Sequence, residues 1–134
     1  MANLAATVRA YPLTPEPFQN LLSAFSQDVT KTRYPNRAEL EDYCRRSANP
    51  VGRLVLTLFG VKSPQARAWS DSICTGLQLT NFWQDVGVDA QKERIYIPQD
   101  ALAFHQISEV ALFYSAAHGK TSPQWRKLMQ EQVI

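Results

Sequence analysis

Apolar residues recur at helical intervals along most of the chain, and Pro, Gly and capping residues mark where each run stops. Leu21, Leu22, Phe25 and Val29 form a stripe at spacings of three and four, which predicts a helix from Phe18 to Arg33 after the loop YPLTPEP and before Tyr34 and Pro35. Asn36 with Glu39 has the capping-box arrangement, so the next helix starts there and runs to Phe59, stopping at Gly60. Pro50 lies inside that helix and is expected to kink it, with the small residues Ser47, Ala48 and Gly52 around the bend. Ser63 followed by Pro64 opens a third helix, which Gly87 weakens near its end. RIYIP, Arg94 to Pro98, is β-branched and aromatic but has no partner strand, and reads as an extended loop. Pro98 to Phe104 supplies one or two further turns, and Ser122 with Pro123 caps a last helix, Trp125 to Ile134. The pattern is all-α.

One stretch breaks the amphipathic rule. In LQLTNFWQDVGVDAQKERIYIP, Asn81, Asp85 and Asp89 stand four residues apart, so each step turns only about 40° around the helix and the three share a face. Gln78 falls on the same face, while Leu77, Leu79, Phe82 and Trp83 beside it are apolar or aromatic. Such a face can wall a cavity. Two carboxylates at i and i+4 with an amide oxygen one turn earlier suit a magnesium ion that keeps water and phosphate oxygens as its remaining ligands, and Lys92 and Arg94 can reach the same anion. The plainer reading is a solvated helix end whose charges make weak surface pairs.

Composition narrows the possibilities. A chain of 134 residues suits one domain, here taken as 1–134. The net charge of +2, with Lys and Arg dispersed, offers no basic stripe, so nucleic acid is not an expected partner. The apolar run from Val55 to Val61 is too short to span a bilayer and the N-terminus lacks a secretory pattern, so the chain reads as cytoplasmic. Cys44 and Cys74 have no metal-binding context and are expected to be buried free thiols. His105 and His118 lack paired ligands and read as surface or loop residues without chemistry.

YCRRSANPVGR, Tyr43 to Arg53, carries two readings. Small residues around a kink allow helices to pack closely; bent helices can instead leave an apolar channel for a long lipid-like ligand, with Arg45, Arg46 and Arg53 facing phosphate or solvent.

Together the two segments resemble the squalene and phytoene synthase family, the head-to-head prenyl-coupling enzymes of the class I isoprenoid fold. Leu77, Gln78, Asn81, Asp85, Asp89, Arg94, Ile95, Tyr96 and Pro98 match the family's second aspartate motif, and Tyr43, Cys44, Ala48, Val51 and Gly52 match its Y-C-x-x-V-A-G-x-V-G segment. Ser47, Asn49 and Pro50 depart from that form, and the S-A-N-P-V-G and N-F-W-Q-D versions resemble the bacterial hopanoid-pathway branch. The resemblance implies a helical bundle in which Mg2+ held by Asn81, Asp85 and Asp89 grips a diphosphate. It makes Asp85 and Asp89 the catalytic pair, and gives Gln78, Gln84, Arg94 and Tyr43 to the prenyl diphosphate substrate. In this branch presqualene diphosphate ionises and water captures the cation as hydroxysqualene; elsewhere in the family two farnesyl diphosphates couple. Most relatives carry Arg where this chain has Gln84, which weakens the hold on a second diphosphate and favours the single-diphosphate step. Full members are roughly twice this length. No first D-x-x-x-D motif precedes Tyr43, so the expectation is a partial bundle lacking its N-terminal part, and the alternative to an enzyme is an inactive helical fragment or binding module that keeps the motif. An open apolar face prone to self-association then follows, as does peripheral membrane contact for release of a lipid product.

Overall fold

The computed structural model describes residues 2 to 133. The described residues form helices α1 (Ala2–Ala10), α2 (Pro15–Asp28), α3 (Arg37–Ser47), α4 (Asn49–Leu58), α5 (Pro64–Gln84), α6 (Val86–Gln91), α7 (Gln99–Phe104), α8 (Glu109–His118) and α9 (Pro123–Val133), with no strand among them. They group into two compact units, one reaching to Val29 and resuming over Asp42–Gln78, the other made of Thr30–Glu41 and the residues from Leu79 onward.

In the first unit polar contacts join the helices. α2 packs against α4, and α4 meets α5 through a bidentate Arg53–Asp71 pair at 2.9 and 2.6 Å and a Thr75 hydroxyl donating to Asn49 Oδ1 at 2.9 Å. Gly52 makes that approach possible: a Cβ there would lie 2.4 Å from Ser70 Oγ and 2.7 Å from Cys74 Sγ. Arg46 donates to Gln27 at 2.6 Å and Ser23 at 3.0 Å, and both Arg45 and Arg46 pair with Asp42. The three arginines around the Pro50 segment are thus engaged with protein partners; Arg53 also lies 3.5 Å from Glu16.

The second unit closes on an aliphatic core of Ala90, Ile95, Ile97, Leu102, Leu112 and Leu128, with Trp83, Phe113 and Trp125 packed at its edge. α6 lies against α8. Three aromatic rings stack across the RIYIP segment: Tyr96 lies 3.9 Å from Phe82 and 5.7 Å from Tyr34, centroid to centroid.

The capping residues act as read, although the Glu39 side chain pairs with Lys31 and does not close the capping box. Asn36 Oδ1 accepts the Glu39 amide, Ser63 Oγ the Ala66 amide and Ser122 Oγ the Trp125 amide, at 3.0, 3.3 and 3.1 Å. Four expectations need correction. The helix predicted over Phe18 to Arg33 runs Pro15–Asp28, because Thr32, Tyr34 and Pro35 turn their carbonyls to the amides of Ile95, Gln99 and Asp100 and the residue before Pro35 disfavours helix. The single long helix expected around Pro50 is instead two, α3 and α4, parted just before it. The chain breaks at Ala48, and Pro50 falls in the first turn of α4, where its missing N–H has no intrahelical partner to lose. α8 has no counterpart in the sequence reading, since VALFY is a continuous apolar run without helical period; the signal lay in Ser108, whose Oγ accepts the Ala111 amide at 3.2 Å, and in left-handed Gly119. His105 is buried, not a surface residue, and its Nε2 sits 2.8 Å from Glu131. RIYIP is extended as expected, and its Ile95 forms an isolated parallel bridge with Arg33. Cys44 and Cys74 are free thiols, buried and half-buried.

Candidate functional site

α5 carries Gln78 half-buried and Asn81 and Gln84 exposed, and it ends at Gln84. Asp85 then leaves the helical region at φ −96°, ψ 11°, and α6 begins one residue later. The interruption falls two residues before Gly87, where the sequence placed the weakness. The hydrogen-bond ladder nevertheless continues: the Asp85 amide donates to Asn81 O at 2.9 Å and the Asp89 amide to Asp85 O at 2.8 Å. The side chain of Asp85 does not cap α6 and is exposed, which leaves its carboxylate facing solvent. Asp89 is half-buried in α6.

Electrostatics tie these groups together. The Asp89 carboxyl is held above the ordinary carboxylate range, first by burial; Lys92 pulls it down, Asp85 pushes it up and Arg94 pulls it down. A carboxylate partly stripped of water and crowded by a second negative charge gains from a cation, and both Asp residues are hard oxygen donors of the kind magnesium takes. Among the described residues no group of three or more His, Cys, Asp or Glu could hold a metal alone. Two carboxylates and the Asn81 oxygen alone would leave the rest of a six-oxygen shell to be filled from outside the protein.

Behind Asp89 the chain turns sharply. The Asp89 carbonyl accepts both the Lys92 and Arg94 amides at 2.9 Å, and Arg94 is half-buried beside it. Tyr43 lies in the first unit, buried, its hydroxyl donating to Asp28 at 2.8 Å. Tyr96, read only as part of the motif, is wedged in the aromatic stack. Arg33 was not singled out by the sequence; its partner Glu109 stands 76 residues away, beyond any local signal.

Structural likeness gives the class, the helical isoprenoid synthases, here as a partial bundle. The chain belongs to the squalene/phytoene synthase family, whose model matches residues 1–133. It is 34% identical to phytoene synthase 1, chloroplastic, of Arabidopsis thaliana, covering 98% of this chain and 32% of that protein. To phytoene synthase 2, chloroplastic, of Solanum lycopersicum it is 34% identical, covering 98% and 43%. The crystal structure of squalene synthase HpnC from Alicyclobacillus acidocaldarius superposes with a TM-score of 0.87 at 33% identity, over 96% of this chain and 48% of that one. A dehydrosqualene synthase crystal structure shares the fold at 23% identity and a TM-score of 0.80. The chain therefore spans less than half the length of each of these proteins. Among the described residues no helix is long and apolar enough to cross a membrane.

Proposed function

We propose that this chain is the second-aspartate-motif portion of a magnesium-dependent enzyme acting on prenyl diphosphates, and that its reaction is ionisation of presqualene diphosphate to hydroxysqualene. The observation that carries the reading is the family match over residues 1–133, with Asn81, Asp85 and Asp89 joined in one backbone hydrogen-bond register and Lys92 and Arg94 following at once. Asn81, Asp85 and Asp89 would hold Mg2+, and Gln78 lies one helical turn before Asn81 on the same helix. When bound, the metal supplies positive charge to the diphosphate as the carbon–oxygen bond breaks. Arg94 and Lys92 would bind the same diphosphate, Gln84 offers one fewer fixed charge to a second diphosphate than the Arg of most relatives, and Tyr43 is assigned to the substrate. The phytoene synthase relatives, at 34% identity, support a second reading in which two prenyl diphosphates couple head to head.

The family-length relatives also bear on partners. Residues 1–134 are proposed as part of one domain whose remaining helices cover the open apolar faces of α2, α4 and α5. Without that cover these faces favour self-association, and a lipid product favours contact with a membrane surface. The test is a polypeptide of full family length containing this segment, supplied with presqualene diphosphate and magnesium, with diphosphate release followed and the lipid identified by mass. Asp85→Asn should lower release by at least about a hundredfold, because metal stabilisation of a leaving group is commonly worth several kcal/mol. Its thermal unfolding should barely move, since Asp85 is exposed and caps nothing. Normal turnover by that variant, or no release from presqualene or farnesyl diphosphate, removes the enzymatic reading.

A further inference from the structure

The turn after Asp89 is built against the backbone preference of its own residue. α6 ends at Gln91 with Lys92 as its C-cap, the Glu93 amide donates to Ala90 O and the Arg94 amide to Asp89 O, both at 2.9 Å. Those two bonds define a Schellman ending, whose residue after the cap takes the left-handed conformation and is usually Gly. Here it is Glu93, at φ 56°. A residue with a Cβ pays roughly 1 kcal/mol or more for that conformation, so neighbouring structure must hold it.

Arg33 is placed to do so. Its Nη1 donates to the Glu93 carbonyl at 2.5 Å and to Thr32 O at 3.0 Å, while Nε and Nη2 donate to the two carboxylate oxygens of Glu109 at 2.8 and 2.9 Å. The guanidinium also lies 5.8 Å from the centre of the Phe113 ring. A planar fork bound on both edges cannot rotate without breaking two bonds at once. Backbone contacts set the rest: Arg33 bridges Ile95, and the Ile95 amide donates to Thr32 O at 3.1 Å. Glu109 answers the arrangement, since the hydrogen bond from Arg33 holds its carboxyl below the ordinary range.

We propose that Arg33, anchored by Glu109, is a positioning residue that holds the left-handed Glu93 turn and so fixes where Arg94 and Asp89 stand. The inference rests on the reading above that Asp89 and Arg94 belong to a diphosphate site, and goes beyond it by naming the support. Neither Arg33 nor Glu109 need touch the ligand.

The test uses this chain without ligand first. Amide hydrogen exchange at Arg94 is compared in the wild type, Arg33→Met, Glu109→Gln, Glu93→Gly and the double variant Arg33→Met with Glu93→Gly. The Ile107 amide is the internal reference, because Gln106 repeats the left-handed ending at φ 56° after α7 and the Ile107 amide donates to Leu102 O at 2.9 Å. Arg33→Met should speed exchange at Arg94 about tenfold over its effect at Ile107, the worth of a charged hydrogen bond, and Glu109→Gln should do so less. In the Glu93→Gly background the same Arg33 change should have under about half that logarithmic effect, because Gly needs no brace. Equal acceleration at Arg94 and Ile107, or an undiminished effect beside Glu93→Gly, overturns the proposal. Should Arg33→Met not fold, Glu109→Gln decides it by the same two comparisons. Titration of a polypeptide of full family length containing this segment with magnesium and inorganic diphosphate then tests the link to the site: Arg33→Met should weaken binding by about threefold or more, and an unchanged affinity overturns the positioning role. A wild-type polypeptide of that length that binds no diphosphate overturns the diphosphate-site reading instead, while the exchange comparison still decides the brace.

Discussion

The two compact units differ in how far they bury large aliphatic side chains. The second encloses Ile97, Leu102, Leu112 and Leu128, each 2% exposed or less. In the first, the fully buried positions include Ala24 and Cys44, while Leu22, Phe25, Val29, Val51, Val55, Trp69, Ile73 and Leu77 stand from 46% to 82% exposed. Those residues are not scattered. Leu22, Phe25 and Val29 repeat at three and four on α2, Val51, Val55 and Leu58 at four and three on α4, and Trp69, Ile73 and Leu77 at four on α5. At about 100° per residue the α4 stripe lies on the side of its helix opposite Asn49, Gly52 and Arg53, which grip α5. The difference teaches that a helix can be held in place by polar clasps while its apolar stripe stays open, so periodicity reports what a helix is built to bury, and not what this chain buries.

The comparison can be broken by mutation. Leu102→Ala should cost about 2–5 kcal/mol in chemical denaturation, as a large-to-small change in a closed core. Gly52→Ala comes next, at about 1–3 kcal/mol, because the new Cβ must displace Ser70 Oγ and Cys74 Sγ; if both side chains rotate away freely the melting temperature will not move and the close α4–α5 contact is not a constraint. The smallest effect is expected at Phe25→Ser, within about 0.5 kcal/mol at low protein concentration. That same variant should reduce the concentration dependence of sedimentation, since it removes apolar surface open to a second molecule. A loss at Phe25 equal to that at Leu102 would mean the stripe is buried after all and the contrast between the units is false.

How far the sequence carried the description depended on the range of the forces involved. Caps at Asn36, Ser63 and Ser122 are local hydrogen bonds within three residues, and all three form. The family motif was legible because a helical ladder relates Asn81, Asp85 and Asp89 by counting. What escaped was non-local. α2 stops at Asp28 because Thr32 to Pro35 pair with residues 95 to 100, and neither segment announces the other. His105 looked like a loop residue until Glu131, on a different helix, came to 2.8 Å. Arg33 could not be told from any other surface arginine without Glu109 and the Glu93 turn. The break at Asp85 was invisible for another reason: one residue outside helical dihedrals, with its ladder bonds intact, leaves no compositional trace.

That break has a bearing on how such a sequence can drift. Because the Asp85 and Asp89 amides stay in register across it, the angle between the two carboxylates is set by the count of residues between them and only weakly by their identity. Gly87 and exposed Val88 can therefore exchange for other helix-compatible residues, and Val86, packed against the core, for other apolar ones; at Gly87 a Cβ would meet no atom within 4 Å. Losing or gaining a single codon there would swing Asp89 by about 100° around the axis and carry Arg94 with it. The interval between the acids is thus open to substitution and closed to insertion or deletion, a length rule written in the backbone.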